Sequence, residues 1–126
     1  MKVLLDSHVI LWWFGQPREL AQQALEALEL PDNELYVSAA SWWELAIKRA
    51  LQRLRFDAAG VSEKLEQANA RRLEITFAHA EFAAALPLHH SDPFDRMLAA
   101  QALSEGLVLM TRDKSFAPYN VPVFPV

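Results

Sequence analysis

Short apolar segments without polar alternation recur along this chain, separated by stretches of helical pattern. That rhythm restricts the fold more than any other feature. Val3-Leu4-Leu5 and Leu107–Met110 are the clearest of these segments. A strand with one wet face alternates, whereas an unbroken apolar run reads as a strand covered on both faces. The pattern predicts strands at Lys2–Asp6, Leu35–Val37, Leu73–Phe77, Leu107–Met110 and Val121–Phe124, the last limited by Pro122 and Pro125. Helices are expected at Ser7–Phe14, ended by Gly15, and from Pro17 onward with Leu20, Ala24 and Leu28 as a stripe, ended by Pro31-Asp32-Asn33. Further helices are expected at Ala39–Leu51, with Trp43, Ala46, Ile47 and Ala50 sharing a face, at 58–70, and at His79–Leu86. A strong helix opens at Asp92-Pro93 and runs to Glu105, closed by Gly106. Strands alternating with helices imply an α/β fold of three layers. It has a central parallel sheet of about five strands, helices on both faces and right-handed crossovers. A length of 126 residues suits a single domain over 1–126, and a hydrophobic share of 52% argues against disorder.

The chain has no cysteine, which excludes disulfides and thiolate metal sites. The opening MKVLLDSH carries Asp6 and His8 too early for a secretory apolar region, and no apolar stretch is long enough to cross a bilayer. No membrane association and a cytoplasmic location are expected. The formal net charge of −4 counts against nucleic-acid binding driven by charge alone. Positive charge is nonetheless clustered. Lys48, Arg49, Arg53 and Arg55 fall close together, and Arg112 and Lys114 flank Asp113. Each of these also fits a solvated helix or loop face.

The acidic residues sit at informative places. Asp6 ends the first strand, Glu44 lies one helical turn beyond the second, and Asp113 follows the strand that ends near Thr111. Ligands of open parallel sheets bind beyond the carboxyl ends of the strands. Asp95 shares a helical row with Leu98, Ala99 and Ala102, so it stands at the edge of the core. The residues leave open which end of the sheet Asp95 occupies. Each acid also has a local explanation. Asp6 or Ser7 fits an N-cap, Asp92 before Pro93 fits one well, and Asp95 three residues later can reach back to a free amide. Glu44 has Lys48 at i+4, and Asp113 fits a turn. Gathered together, such carboxylates repel one another, and a divalent cation reverses that penalty. Oxygen ligands without cysteine suit a hard ion, Mg²⁺ or Mn²⁺. His89 and His90 are adjacent and cannot easily both point into one site, so they read as loop residues. Trp12-Trp13 and Trp42-Trp43 are neighbours as well, so one of each pair is expected to be exposed or at an interface.

The strings LLDSHVILWW (4–13), VSAASWWELAIK (37–48), LPLHHSDPFDRMLAAQA (86–102) and LVLMTRDKSFAPYNV (107–121) together resemble PIN-domain ribonucleases, and more narrowly VapC-type toxins of bacterial toxin–antitoxin pairs. The likeness spans almost the whole chain. It implies a PIN-like sheet and a metal-dependent endoribonuclease that hydrolyses RNA phosphodiester bonds with Mg²⁺, Mn²⁺ being an alternative. By position, Asp6, Glu44, Asp95 and Asp113 match the family's acidic residues. Ser7 and Thr111 match supporting hydroxyls, and Asp92 matches an acid at the site's edge. Lys48, Arg49, Arg96 and Arg112 are candidates for phosphate contacts. The resemblance also implies a cognate antitoxin and a second copy of the chain as partners. Ser7 stands where threonine is commoner and keeps the hydroxyl. Ser91 stands where a basic residue is common and removes one phosphate contact. A noncatalytic interaction module on the same fold is the competing reading, and the intact set of acids speaks against it.

Overall fold

The computed structural model of the chain describes residues 1–126. Five parallel strands form one sheet in the order β3-β2-β1-β4-β5. They are β1 (Lys2–Leu5), β2 (Glu34–Ser38), β3 (Arg71–Leu73), β4 (Val108–Thr111) and β5 (Val123–Pro125). Six helices connect them: α1 (Ser7–Gly15), α2 (Gln22–Glu29), α3 (Ala39–Ala50), α4 (Ala58–Gln67), α5 (Phe77–Ala85) and α6 (Pro93–Glu105). Short 3-10 turns at Pro17–Glu19 and Lys114–Tyr119 complete the chain.

The central strand shows why the fold has three layers. Val3 and Leu5 point to one face and Leu4 to the other, and all three are fully buried. The first face meets Val9 and Ile10 of α1, Ala24, Ala27 and Leu28 of α2, Leu45 of α3 and Leu65 of α4. The second meets Leu98, Ala99 and Ala102 of α6, with Phe116 and Tyr119 from the second 3-10 turn. Both faces are therefore apolar, and the unbroken run follows. The chain moves outward from β1 through β2 to β3, then crosses back to β4 and β5. Reversing direction while keeping the crossover hand sends α5 and α6 to the opposite face from α1–α4. It also makes the gap between β1 and β4 the topological switch point, where ligands of such sheets bind.

Several expected boundaries shift for physical reasons. The third strand covers Arg71–Leu73, not Leu73–Phe77, because its partner β2 ends at Ser38, which pairs with Leu73 and caps α3. Beyond that point the chain has no ladder to join. The Glu74 carbonyl accepts instead from Gln101 Nε2 at 3.3 Å, and Thr76 caps α5 in a reciprocal pair with His79. Pro17 opens a single 3-10 turn, and the α-helix carrying Ala24 and Leu28 begins at Gln22. The fourth helix stops at Gln67, and Asn69 adopts φ +58°. The last strand begins at Val123, two residues later than expected, although the Pro122 carbonyl already accepts from Leu109 N. The face of α3 turned to the core carries Ala40, Ser41 and Leu45, not Trp43 and Ala50. Trp43 is 61% exposed while Trp42 packs against Phe56, as expected for neighbours on one helix, but Trp12 and Trp13 are both half-buried. The sixth helix matches its predicted bounds, with Asp92 as N-cap and Gly106 at φ +68° receiving the chain in the left-handed region.

Helices α5 and α6 form an antiparallel hairpin. His79 at the start of α5 meets Glu105 at the end of α6 at 2.7 Å. The Ala83 and Leu86 carbonyls, at the end of α5, meet Arg96 in the first turns of α6. Gln101 ties this hairpin to the sheet by accepting from Ser38 Oγ at 2.6 Å. Thr76 N–H donates to His79 Nδ1, so the ring proton lies on Nε2 and faces Glu105. Because α5 runs up the sheet, α6 starts at the carboxyl end of the strands, and Asp95 stands there.

Candidate metal centre

Asp6 leaves β1 at the switch point and is buried. It occupies the N-cap position of α1 but makes no side-chain capping bond. Its carboxylate is committed to side chains instead. Thr111 Oγ1 donates to Asp6 Oδ2 at 2.6 Å across 105 residues of sequence. Ser7 Oγ donates to Glu44 Oε1 at 2.8 Å, with Asp6 Oδ1 at 3.3 Å as the weaker alternative. Glu44 Oε2 pairs with Lys48 Nζ at 3.6 Å. The i+4 pair and the approach to Asp6 thus coexist in one residue.

A second group adjoins the first. Asp92 caps α6 by accepting from Phe94 N at 2.8 Å and Asp95 N at 3.3 Å, which anchors the turn that carries Asp95. Asp95 Oδ2 lies 2.7 Å from His90 Nε2. Donor atoms of His90, Asp95 and Asp113 all lie within 4.8 Å of one another. Asp113 caps the turn after β4 through Ser115 N, and its own N–H donates to Thr111 Oγ1 at 3.0 Å. Thr111 therefore links the two groups by donating to one acid and accepting from the backbone of another. An open cleft of about 280 Å³ beside them is lined by Asp6, His8, Trp12, Arg112 and Asp113.

The electrostatics match the geometry. The Asp95 carboxyl is pushed up to about 6, foremost because it is desolvated, and further by the nearby charges of Asp92 and Asp6. The His90 hydrogen bond and charge act in the opposite direction and do not cancel these effects. Carboxylates with one imidazole and no thiolate form a donor set that fits a divalent cation preferring oxygen.

The basic candidates divide. Lys48 stands beside Glu44, and Arg49 is exposed with its guanidinium 5.8 Å from the Phe56 ring centroid. Arg112 lies over Trp12 at 4.3 Å and contacts the carbonyl and the carboxylate of Glu19. Arg96 is not a free phosphate contact. Its guanidinium donates to the carbonyls of Ala83, Leu86, Pro87 and His90 and to the Tyr119 hydroxyl. It clamps the loop before α6, a use that only the folded chain reveals. His90 lies in a loop, as its sequence suggests, and it also faces Asp95. The adjacent pair is itself a signal in the sequence, since two neighbouring side chains diverge and one of them is free to turn inward.

Acids gathered outside the carboxyl ends of β1 and β4 mark a doubly wound α/β protein whose acidic cluster could hold a cation. The chain belongs to the PIN-domain family, whose model matches residues 3–121. It is 39% identical over 123 residues, 95% of this chain and 93% of the relative, to Ribonuclease VapC22 of Mycobacterium tuberculosis. Among solved structures it is similar to FitAcB from Neisseria gonorrhoeae, with a TM-score of 0.68 and 29% identity over 97% of this chain and 96% of that one. VapBC2 from Rickettsia felis, solved with a promoter DNA fragment, shares the fold at TM-score 0.74 and 15% identity, covering 100% of this chain and 99% of the other.

Proposed function

We propose that this chain is a metal-dependent endoribonuclease and the toxin of a toxin–antitoxin pair. The observation that supports this is the pair of adjoining acidic groups at the switch point, Asp6 with Glu44 through Ser7 and Asp95 with Asp113, joined by Thr111, in a chain 39% identical to a named ribonuclease. Asp6, Asp95, Glu44 and Asp113 would hold the cation, Mg²⁺ or Mn²⁺. Once bound, such an ion lowers the pKa of water and offsets negative charge growing on a phosphate.

The chain's own residues do the rest. Thr111 and Ser7 fix the Asp6 and Glu44 oxygens, and Asp92 fixes the turn that presents Asp95. Lys48 sets a positive charge beside Glu44, where an approaching phosphate meets it. No side chain serves as a covalent nucleophile. The partners fit exposed surfaces. Phe77 is 94% and Leu88 88% exposed, apolar area suited to a second copy of the chain. An apolar groove of about 430 Å³ beside α3 and α4, lined by Trp42, Trp43 and Leu65, suits a segment of the antitoxin. No helix is long and apolar enough to cross a membrane.

The test is incubation of purified protein with total RNA in Mg²⁺, in Mn²⁺ and in EDTA, beside Asp6→Asn and Asp95→Asn. Cleavage is expected only with metal, and each variant is expected to lose it at least about a hundredfold. Undiminished cleavage in EDTA, or by either variant, would overturn the assignment.

A further inference from the structure

We propose that His90 is a nitrogen donor of the metal centre, so that the ion is held by an imidazole as well as by carboxylates. This rests on the metal-dependent activity proposed above and adds a ligand to it.

Three observations carry the inference. His90, Asp95 and Asp113 present donor atoms within 4.8 Å of one another from three separate segments: the loop before α6, α6 itself and the turn after β4. His90 Nε2 and Asp95 Oδ2 face each other at hydrogen-bond distance, 2.7 Å, so two donors already turn toward one point, and a small separation of the pair admits a cation between them. The adjacent histidines diverge: His89 is exposed with its ring 5.4 Å from Tyr119, while His90 turns inward to Asp95.

The loop is also built to hold that pose. Arg96 donates to the carbonyls of Pro87 at 2.9 Å and His90 at 3.4 Å, and Tyr119 Oη donates to the same His90 carbonyl at 3.4 Å. The same guanidinium takes the Ala83 and Leu86 carbonyls. A donor fixed before the ion arrives loses little freedom on binding. Imidazole nitrogen favours transition-metal ions over Mg²⁺, so the chain should prefer Mn²⁺ more strongly than an all-carboxylate site would.

The experiment is pulsed electron paramagnetic resonance on the full chain loaded with Mn²⁺, read for nitrogen modulation of the manganese echo. Modulation is expected in the wild type, in His8→Gln and in His89→Gln, and its loss in His90→Gln. Calorimetry should show Mn²⁺ affinity falling roughly tenfold in His90→Gln, with Mg²⁺ affinity changed by less than about threefold. His90→Asn should reproduce both results if the glutamine variant folds poorly. Bound Mn²⁺ without nitrogen modulation overturns the proposal, as does modulation that survives in His90→Gln. A purely structural His90–Asp95 bond would give the first of these outcomes. A chain that takes up no Mn²⁺ at all would instead overturn the metal-dependent activity, and this ligand with it.

Discussion

Replacing Asp95 by Asn should stabilise the metal-free protein, and only above a defined pH. The Asp95 carboxyl has an ordinary value of 3.8 and titrates at about 6 inside the fold. The folded state therefore holds this proton more tightly than the unfolded chain does. Ionising the group costs the folded state nothing below pH 3.8, progressively more between 3.8 and about 6, and the full amount above that. At 1.36 kcal/mol per tenfold change in proton affinity, the full cost is about 3 kcal/mol. The side chain is only partly buried, so solvent screens some of this and about 3 kcal/mol is the upper bound. Asparagine keeps the shape, carries no charge and still accepts from His90. Thermal melts in EDTA at pH 8 should place Asp95→Asn about 10 °C above the wild type, at ~4 °C per kcal/mol for a domain of this size. At pH 4 the two should coincide. Mn²⁺ at about a thousand times its Kd should reverse the order at pH 8, since ligand bound to the native state alone then stabilises the wild type by about 4.1 kcal/mol, more than the cost of the buried charge. A variant that melts below the wild type at pH 8 in EDTA, or by the same offset at both pH values, would refute desolvation and repulsion as the cause.

Other expectations follow from the same geometry. Arg96→Lys replaces a fork meeting five acceptors with a single ammonium, and urea denaturation should show a loss of about 2–4 kcal/mol; an unchanged midpoint would exclude the clamp. Gln101→Leu leaves the Ser38 hydroxyl and the Glu74 carbonyl without their buried partner. It should cost about 1–3 kcal/mol and speed amide exchange in α5, measured by hydrogen exchange. Thr111→Val keeps the shape but removes the donor to Asp6 Oδ2, so calorimetry should show Mn²⁺ affinity reduced roughly tenfold with the fold intact.

Much of this molecule is written locally. The unbroken run Val3-Leu4-Leu5 marks a strand buried on both faces, and the row Leu98, Ala99, Ala102 marks the buried side of α6. Asp92-Pro93 and Gly106 bound that helix because capping, fixed φ and left-handed backbone act within a few residues. The same locality made Asp6, Glu44 and Asp113 visible, since each lies within a turn or so of a strand's carboxyl end, where parallel sheets bind ligands. Tertiary structure decided the rest. Asp95 reaches the switch point because α5 folds up against α6, an orientation fixed by His79 on Glu105 and Arg96 on the Ala83 and Leu86 carbonyls. The third strand stops at Leu73 because its partner ends, and no propensity within 73–77 records that. Arg96 carries the same charge in any context, but the carbonyls around it make it a clamp, and the turn of its loop brings His90 to Asp95. Propensity and periodicity are properties of neighbours in sequence. The partners of a buried charge are chosen by which distant segments the sheet order brings side by side.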